Sequence, residues 1–297
     1  MKLSSFVHYT KIDLLPGVPL YVYALKGAYF SIMVDTGIYQ MKGQIAELVN
    51  EVPGIKSVLI THVHADHIGC NAEVKKLTGA QFYAAGAVSW VENPETHYLE
   101  FCIPSEHLPD SPEQRKEILG LMDGPVHVDA LITAGVIFRP DDNIELQTIA
   151  LPGHKLEEVG FLEKHSGTLF MGDVLLALAA PFFHGFQTAG GFRSTLTRLE
   201  QMINNGTIIQ ILAAHHPPLD AHASMKCIAD TRHFLDEVEE AVLAEAKGTD
   251  FPSLWKNVCK KLKKQLEFRG FAMLQVQVDE LIDDKKLRLE DGLIFTS

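Results

Sequence analysis

Cysteine is scarce and scattered in this 297-residue chain: Cys70, Cys102, Cys227 and Cys259 show neither the spacing of a zinc ribbon nor that of a redox CxxC pair. Each reads as a free buried thiol, and only Cys70 lies close enough to a histidine cluster to line a site. No apolar run approaches the roughly 18 residues of a membrane-spanning helix. Near the start, Tyr9, Lys11 and Asp13 interrupt any apolar leader, so a cytoplasmic protein is expected. Positive charge is short too. With 26 basic against 38 acidic residues the formal charge is −12, which argues against nucleic acid as a partner.

Histidine is not short, and its placement carries the chemistry. Thr61-His62-Val63-His64-Ala65-Asp66-His67 closes an apolar run, Ser57 to Thr61, that has the β-branched content of a buried strand. In an extended chain His62 and His64 point the same way and can reach one ion, while Asp66 and His67 lie past the bend and can serve a second. Four such side chains crowded beside a buried strand are costly unless one partner satisfies them. Imidazole with carboxylate suits zinc, iron or manganese. Three more strand-like runs end in candidates of the same kind. Leu146 to Ala150 leads to Pro152-Gly153-His154, Leu169 to Met171 to Gly172-Asp173, and Thr207 to Ala214 to His215 and His216.

In this order, over about residues 17 to 220, these motifs resemble the metallo-β-lactamase fold superfamily. The resemblance implies an α/β fold, a four-layer αββα sandwich holding two divalent metal ions, zinc first and iron or manganese as alternatives. It assigns His62, His64 and His154 to one ion, Asp66, His67 and His215 to the other, and Asp173 to a bridge between them. Asp66 takes a second, catalytic duty, orienting the nucleophile or taking its proton. Asp35, after the early strand Tyr29 to Met33, matches an aspartate that supports the metal loop from behind. Two departures stand out: His216 replaces the small residue often found there, and Lys155 to Gly160 follows the Pro-Gly-His turn where many relatives carry a small hydroxylated residue.

Length allows more than one unit. A catalytic domain over 1–222 is expected, with helices Gln44 to Glu51 and Cys70 to Thr78, the latter aiming its N-terminal dipole at the metal loop. An insertion over about 85–142 holds Trp90, His97, Tyr98, Phe101 and Pro104, then a helix from Ser111 to Leu121, and is expected to roof the site. The strip Leu175 to Phe186 offers an apolar substrate wall or, alternatively, a buried loop or homodimer contact. A mainly helical C-terminal extension over 223–297 would hold helices Cys227 to Ala246, Ser253 to Phe268 and Ala272 to Ile282, with Lys256, Lys260, Lys261, Lys263 and Lys264 solvated. A hairpin, Lys286 to Phe295, would close it at Asp291-Gly292. Such an extension resembles those of glyoxalase II-like and quinolone-signal thioesterase-like hydrolases.

The expected function is hydrolysis of a small-molecule thioester or ester by a metal-bound hydroxide. The alternatives are a lactonase or phosphodiesterase of the same fold, and a regulatory or binding protein with a vestigial site. Diiron oxygen reductases of the family carry a glutamate where this chain has His64, and its nucleases a second, helicase-like domain; neither feature occurs here.

Overall fold

The computed structural model describes every residue except 2, 102–110 and 177, and no side chain at 100 or 101. Cys102, Pro104 and Ala177 therefore lie outside the described residues, as does the side chain of Phe101. Two six-stranded mixed sheets form the middle of the molecule. The first orders β1 (Val7–Leu15), β2 (Val18–Leu25), β3 (Ser31–Val34), β4 (Ile55–Leu59), β5 (Gln81–Ala84) and β6 (Ala130–Leu131) side by side. The second runs from β7 (Ile137–Asp141) through β8 (Ile144–Ala150), β9 (Val159–Glu163), β10 (Thr168–Met171) and β11 (Gln210–Ala213) to β12 (Leu219–Asp220). Both β6 and β7 come from the 85–142 segment, so part of that segment belongs to the sheets.

Parallel neighbours need a crossover, and helices supply it. Between β3 and β4 runs α1 (Lys42–Glu51); α2 (Ala65–Ile68) and α3 (Asn71–Thr78) join β4 to β5. In the segment that follows lie α4 (Val88–Glu92), α5 (Pro94–Phe101) and α6 (Pro112–Leu119). Ser111 caps α6, its hydroxyl accepting from Gln114 N–H, and Pro112 opens the first turn. The parallel pair β10 and β11 is joined through α7 (Ala189–Asn204). Apolar side chains fill three interfaces. Ile45, Leu48 and Val74 of the first helices meet the outer face of the first sheet at Val58 and Phe82. Tyr23, Ile32, Leu59, Phe161, Phe170 and Leu212 pack between the sheets. Phe192, Leu196 and Leu199 of α7 cover the second sheet at Leu169 and Ile211. Helix, sheet, sheet, helix is the four-layer order expected, and a helical C-terminal extension completes it.

That extension departs from expectation in detail. α8 (Ala221–Glu245) starts six residues before Cys227, because the Asp220 carboxylate accepts from Ala223 N–H and caps it there. α9 (Phe251–Lys261) stops well short of Phe268, with Lys263 in the left-handed region at φ +53°. Leu266, inside the expected helix, lies beyond the end of α9 and is exposed. α10 (Phe268–Asp283) begins four residues before Ala272. A third sheet forms where β13 (Lys247–Thr249) pairs with β15 (Leu293–Thr296), itself the hairpin partner of β14 (Leu287–Glu290). Asp291 and Gly292 both take positive φ at its turn, as read from the sequence. Lys264 is not a solvated lysine: its Nζ donates to Leu178 O at 3.3 Å and Ala180 O at 2.7 Å.

Two further readings change. The first-turn amides of α3, Ala72 and Glu73, donate to the Asp123 carboxylate at 2.9 and 2.8 Å, so a carboxylate from outside the metal loop takes up this helix end. Cys70 is a core residue, its thiol donating to Ile38 O at 3.0 Å, with burial pushing its pKa up to about 12. Among the described residues no helix is long and apolar enough to cross a membrane.

Candidate metal centre

Four strand ends deliver the site. β4 ends at Leu59 and releases the turn that carries His62, His64, Asp66 and His67. β8 ends at Ala150 before His154. Parallel register pairs Met171 of β10 with Ala213 of β11, so Asp173 and His215, each two residues beyond, emerge at one height. Gly172 is required here by space. A Cβ at that position would lie 2.7 Å from both His62 Nδ1 and Thr61 Oγ, and 2.8 Å from Glu158 Oε1.

The side chains fall into two sets, each able to hold a metal ion: His62, His64, His154 and Asp173, and Asp66, His67, Asp173 and His215. In the first, His64 Nδ1 is 3.1 Å from His62 Nε2 and 2.9 Å from His154 Nε2, and His154 Nε2 is 3.5 Å from Asp173 Oδ2. In the second, Asp173 Oδ1 is 3.2 Å from His67 Nε2 and 3.3 Å from His215 Nε2, which is itself 3.2 Å from Asp66 Oδ2. Ligands about 2.0–2.1 Å from a tetrahedral zinc stand roughly 3.3 Å apart, so both sets match the spacing a first-row divalent ion requires. His67 Nε2, His215 Nε2 and Asp173 Oδ1 are buried yet make no hydrogen bond. Three converging polar atoms left so in a buried site call for a common partner.

The histidines are aimed from behind. His154 Nδ1 donates to Gly185 O, His215 Nδ1 to Pro19 O and His67 Nδ1 to Asp35 Oδ2, at 2.9, 2.9 and 2.8 Å, which leaves each Nε2 facing the site. Asp35 also accepts from Thr61 N–H and Thr61 Oγ–H, both at 2.8 Å, and takes φ +57° to do so. This is the support from behind that the sequence leads one to expect. Charge separates the two sets. Burial depresses His62, His64 and His154, which favours the uncharged rings that can ligate a metal ion. Burial opposes protonation of His67 and His215 too, but Asp173 and the other carboxylates outweigh it, raising His67 well above its usual range and His215 to about 10. An arriving cation would displace those protons.

A cavity of about 210 Å3 opens over both sets, lined by His64, Asp66, His154, Asp173 and His215. Its apolar wall includes Leu14, Val18, Ile118, Leu121 and Phe182, so the 111–121 helix and the strip after Asp173 both reach it. Sequence reasoning missed three residues here. Glu158, in the segment noted as a departure, is buried with Oε1 accepting from Asp173 N–H at 2.7 Å. Burial, with Asp173 beside it, raises its carboxyl well above the usual range. Arg269 of α10 reaches the cavity, its guanidinium 4.0 Å over the Phe182 ring. His184 lines the cavity as well. His216 does not; its Nε2 donates to Leu175 O at 2.9 Å.

Residues 16–215 match the family model described as the metallo-beta-lactamase superfamily, which spans more than half of the chain. The chain belongs to the metallo-beta-lactamase superfamily. Solved members share the fold over nearly the whole length. A metallo-beta-lactamase family protein from Thermus thermophilus superposes with a TM-score of 0.74 at 18% identity, covering 100% of both chains. A beta-lactamase domain protein from Burkholderia ambifaria gives 0.75 at 16% identity, covering 100% of this chain and 94% of that one. Among curated sequences, the hydroxyacylglutathione hydrolase GloC of Haemophilus influenzae is 27% identical over 151 residues, 48% of this chain. The match spans 61% of that relative's length.

Proposed function

We propose that this superfamily member is a dinuclear-metal hydrolase of small-molecule thioesters or esters. The observation that carries the dinuclear reading is Asp173, which turns one carboxylate oxygen to each donor set. In this reading His62, His64 and His154 hold one ion, Asp66, His67 and His215 the other, and Asp173 bridges them. Two divalent ions would supply a Lewis acid and a bound water acidic enough to ionise near neutral pH. Asp66, the most open of the seven with its side chain 26% exposed, takes the nucleophile's proton or orients it. The neutral rings of the first set bind without losing protons, and the apolar wall seats the acyl group. Similarity to a hydroxyacylglutathione hydrolase across 48% of the chain supports a thioester, which is the bond its named substrate contains. The free thiols of Cys70, Cys227 and Cys259 favour a reducing, cytoplasmic setting.

Reconstitution with zinc, iron or manganese should give close to two ions per chain; none bound would leave only the vestigial-site alternative. The loaded protein is then assayed on short and long acyl thioesters, a homoserine lactone, and bis-aryl and cyclic phosphodiesters. A phosphodiester preferred more than about tenfold, or about 1.4 kcal/mol of transition-state stabilisation, would overturn the acyl assignment. Asp66→Asn should keep more metal than Asp173→Ala yet lose most turnover, and equal turnover with wild type would remove Asp66 from the chemistry.

A further inference from the structure

The loop after Asp173 carries a histidine to which the hydrolytic reading gives no task. His184 lies on the cavity wall with Asp66, His154, Asp173 and His215. Its ring centroid is 5.1 Å from that of His215 and 6.0 Å from that of His154. Nδ1 stands 3.7 Å from Asp173 Oδ2, too far for a hydrogen bond. Among the described residues that buried Nδ1 has no hydrogen-bond partner, and no hydrogen bond engages Nε2. The ring belongs to neither four-residue set.

Its surroundings nevertheless hold it in place. The Phe182 ring lies nearly parallel, 4° from the His184 plane at 6.5 Å. The next residue, Gly185, accepts the His154 Nδ1 hydrogen bond, so the loop is tied to the donor set. A side chain only 12% exposed that leaves a buried ring nitrogen unpaired carries a desolvation cost with nothing to offset it. Such a cost at the mouth of a reactive cleft makes sense when a ligand supplies the missing partner.

We propose that His184 is a catalytic residue whose N–H donates a hydrogen bond to the substrate oxygen on which negative charge develops as the acyl carbon is attacked. The inference rests on the hydrolytic reading of the cavity. No proton is transferred; the ring acts by its N–H dipole.

The test compares wild type, His184→Ala and His184→Gln, all metal-loaded. Calorimetry measures the affinity of a phosphonate that mimics the tetrahedral oxyanion and of an inert thioether with the same acyl chain. Phosphonate binding should weaken at least tenfold in His184→Ala and recover in part in His184→Gln, while thioether binding and metal content stay at wild-type values. On any acyl substrate that turns over, kcat should fall about 10²- to 10³-fold with KM little changed. The loss should be the same for thiolate, aryl oxide and alkoxide leaving groups. Equal phosphonate affinity in wild type and His184→Ala overturns the proposal whether or not the wild type hydrolyses the panel. Loss of a metal ion overturns it by making His184 a ligand, and a loss that grows with leaving-group basicity overturns it by making His184 a proton donor to that group. Wild-type turnover, judged separately, decides the hydrolytic reading.

Discussion

Asp173 is the residue on which both donor sets depend, because its two oxygens face in different directions within one buried pocket. Removing it takes from His67 and His215 the one carboxylate they share, at 3.2 and 3.3 Å, and deprives the first set of its only carboxylate. Asp173→Ala should therefore lose both ions, whereas His154→Ala or His215→Ala should keep one; plasma emission analysis of dialysed protein reads the difference. The buried histidines also set a pH dependence. His97 and His184 are depressed, mainly by burial, to about 4 and about 3. The unfolded chain protonates them below about 6.5, so the stability they contribute above that pH is lost as pH falls toward their folded values. His67 and His215, raised in the fold, contribute a term that is complete below about 6.5 and so flat in this window. The carboxyls of Glu158, Asp123 and Glu267, raised mainly by burial, pull the other way, but they face six depressed histidines when His62, His64, His154 and His216 are included. Urea midpoints of the metal-free protein should fall from pH 6.3 to pH 5, and less steeply in His97→Gln. The seven grouped residues could be read from sequence because each stands at a strand end beside a turn. Glu158 and His184 could not, since their meaning comes from what the far end of the chain folds against them.

At the scale of elements, the cavity wall after Asp173 is held by the extension. Lys264 Nζ bonds Leu178 O and Ala180 O, and Gln265 N–H donates to Pro181 O at 2.8 Å. Lys264→Ala removes a charge-assisted tie to a loop that carries Phe182 and His184. It should cost roughly 1–3 kcal/mol by chemical denaturation and raise KM more than it lowers kcat. Strands were legible where apolar content was dense, as in β8 and β10, and so was the Asp-Gly hairpin turn. The break between α9 and α10 was expected, but not its place. The amphipathic pattern runs past Lys261, yet the chain leaves the helix there to let Lys264 and Gln265 reach the loop. A tertiary demand overrode local periodicity.

The whole molecule shares one core across its expected boundary. Leu235, Val238 and Val242 of α8 and Leu254, Val258, Leu274 and Val278 of α9 and α10 pack in the same cluster as Leu169 and Ile211 of the second sheet. Cutting away 224–297 would bare that apolar surface, so the remainder should aggregate or lose its cooperative transition, and calorimetry of the intact chain should show a single unfolding event. A soluble truncated chain that melts cooperatively would count against one shared core. The two donor sets have a similar reach, since each draws on both sheets: His62, His64, Asp66 and His67 follow a strand of the first, and His154, Asp173 and His215 follow strands of the second. An ion seated in either set is thereby a cross-link between halves of the molecule that are otherwise held by packing and by hydrogen bonds such as Tyr21 N–H to Ala214 O and Val159 N–H to Thr61 O. It cannot be released by fraying one sheet alone. Exchange of bound metal with an isotope in solution should accordingly be slow and steeply temperature-dependent, tracking the rate at which the seam between the sheets opens.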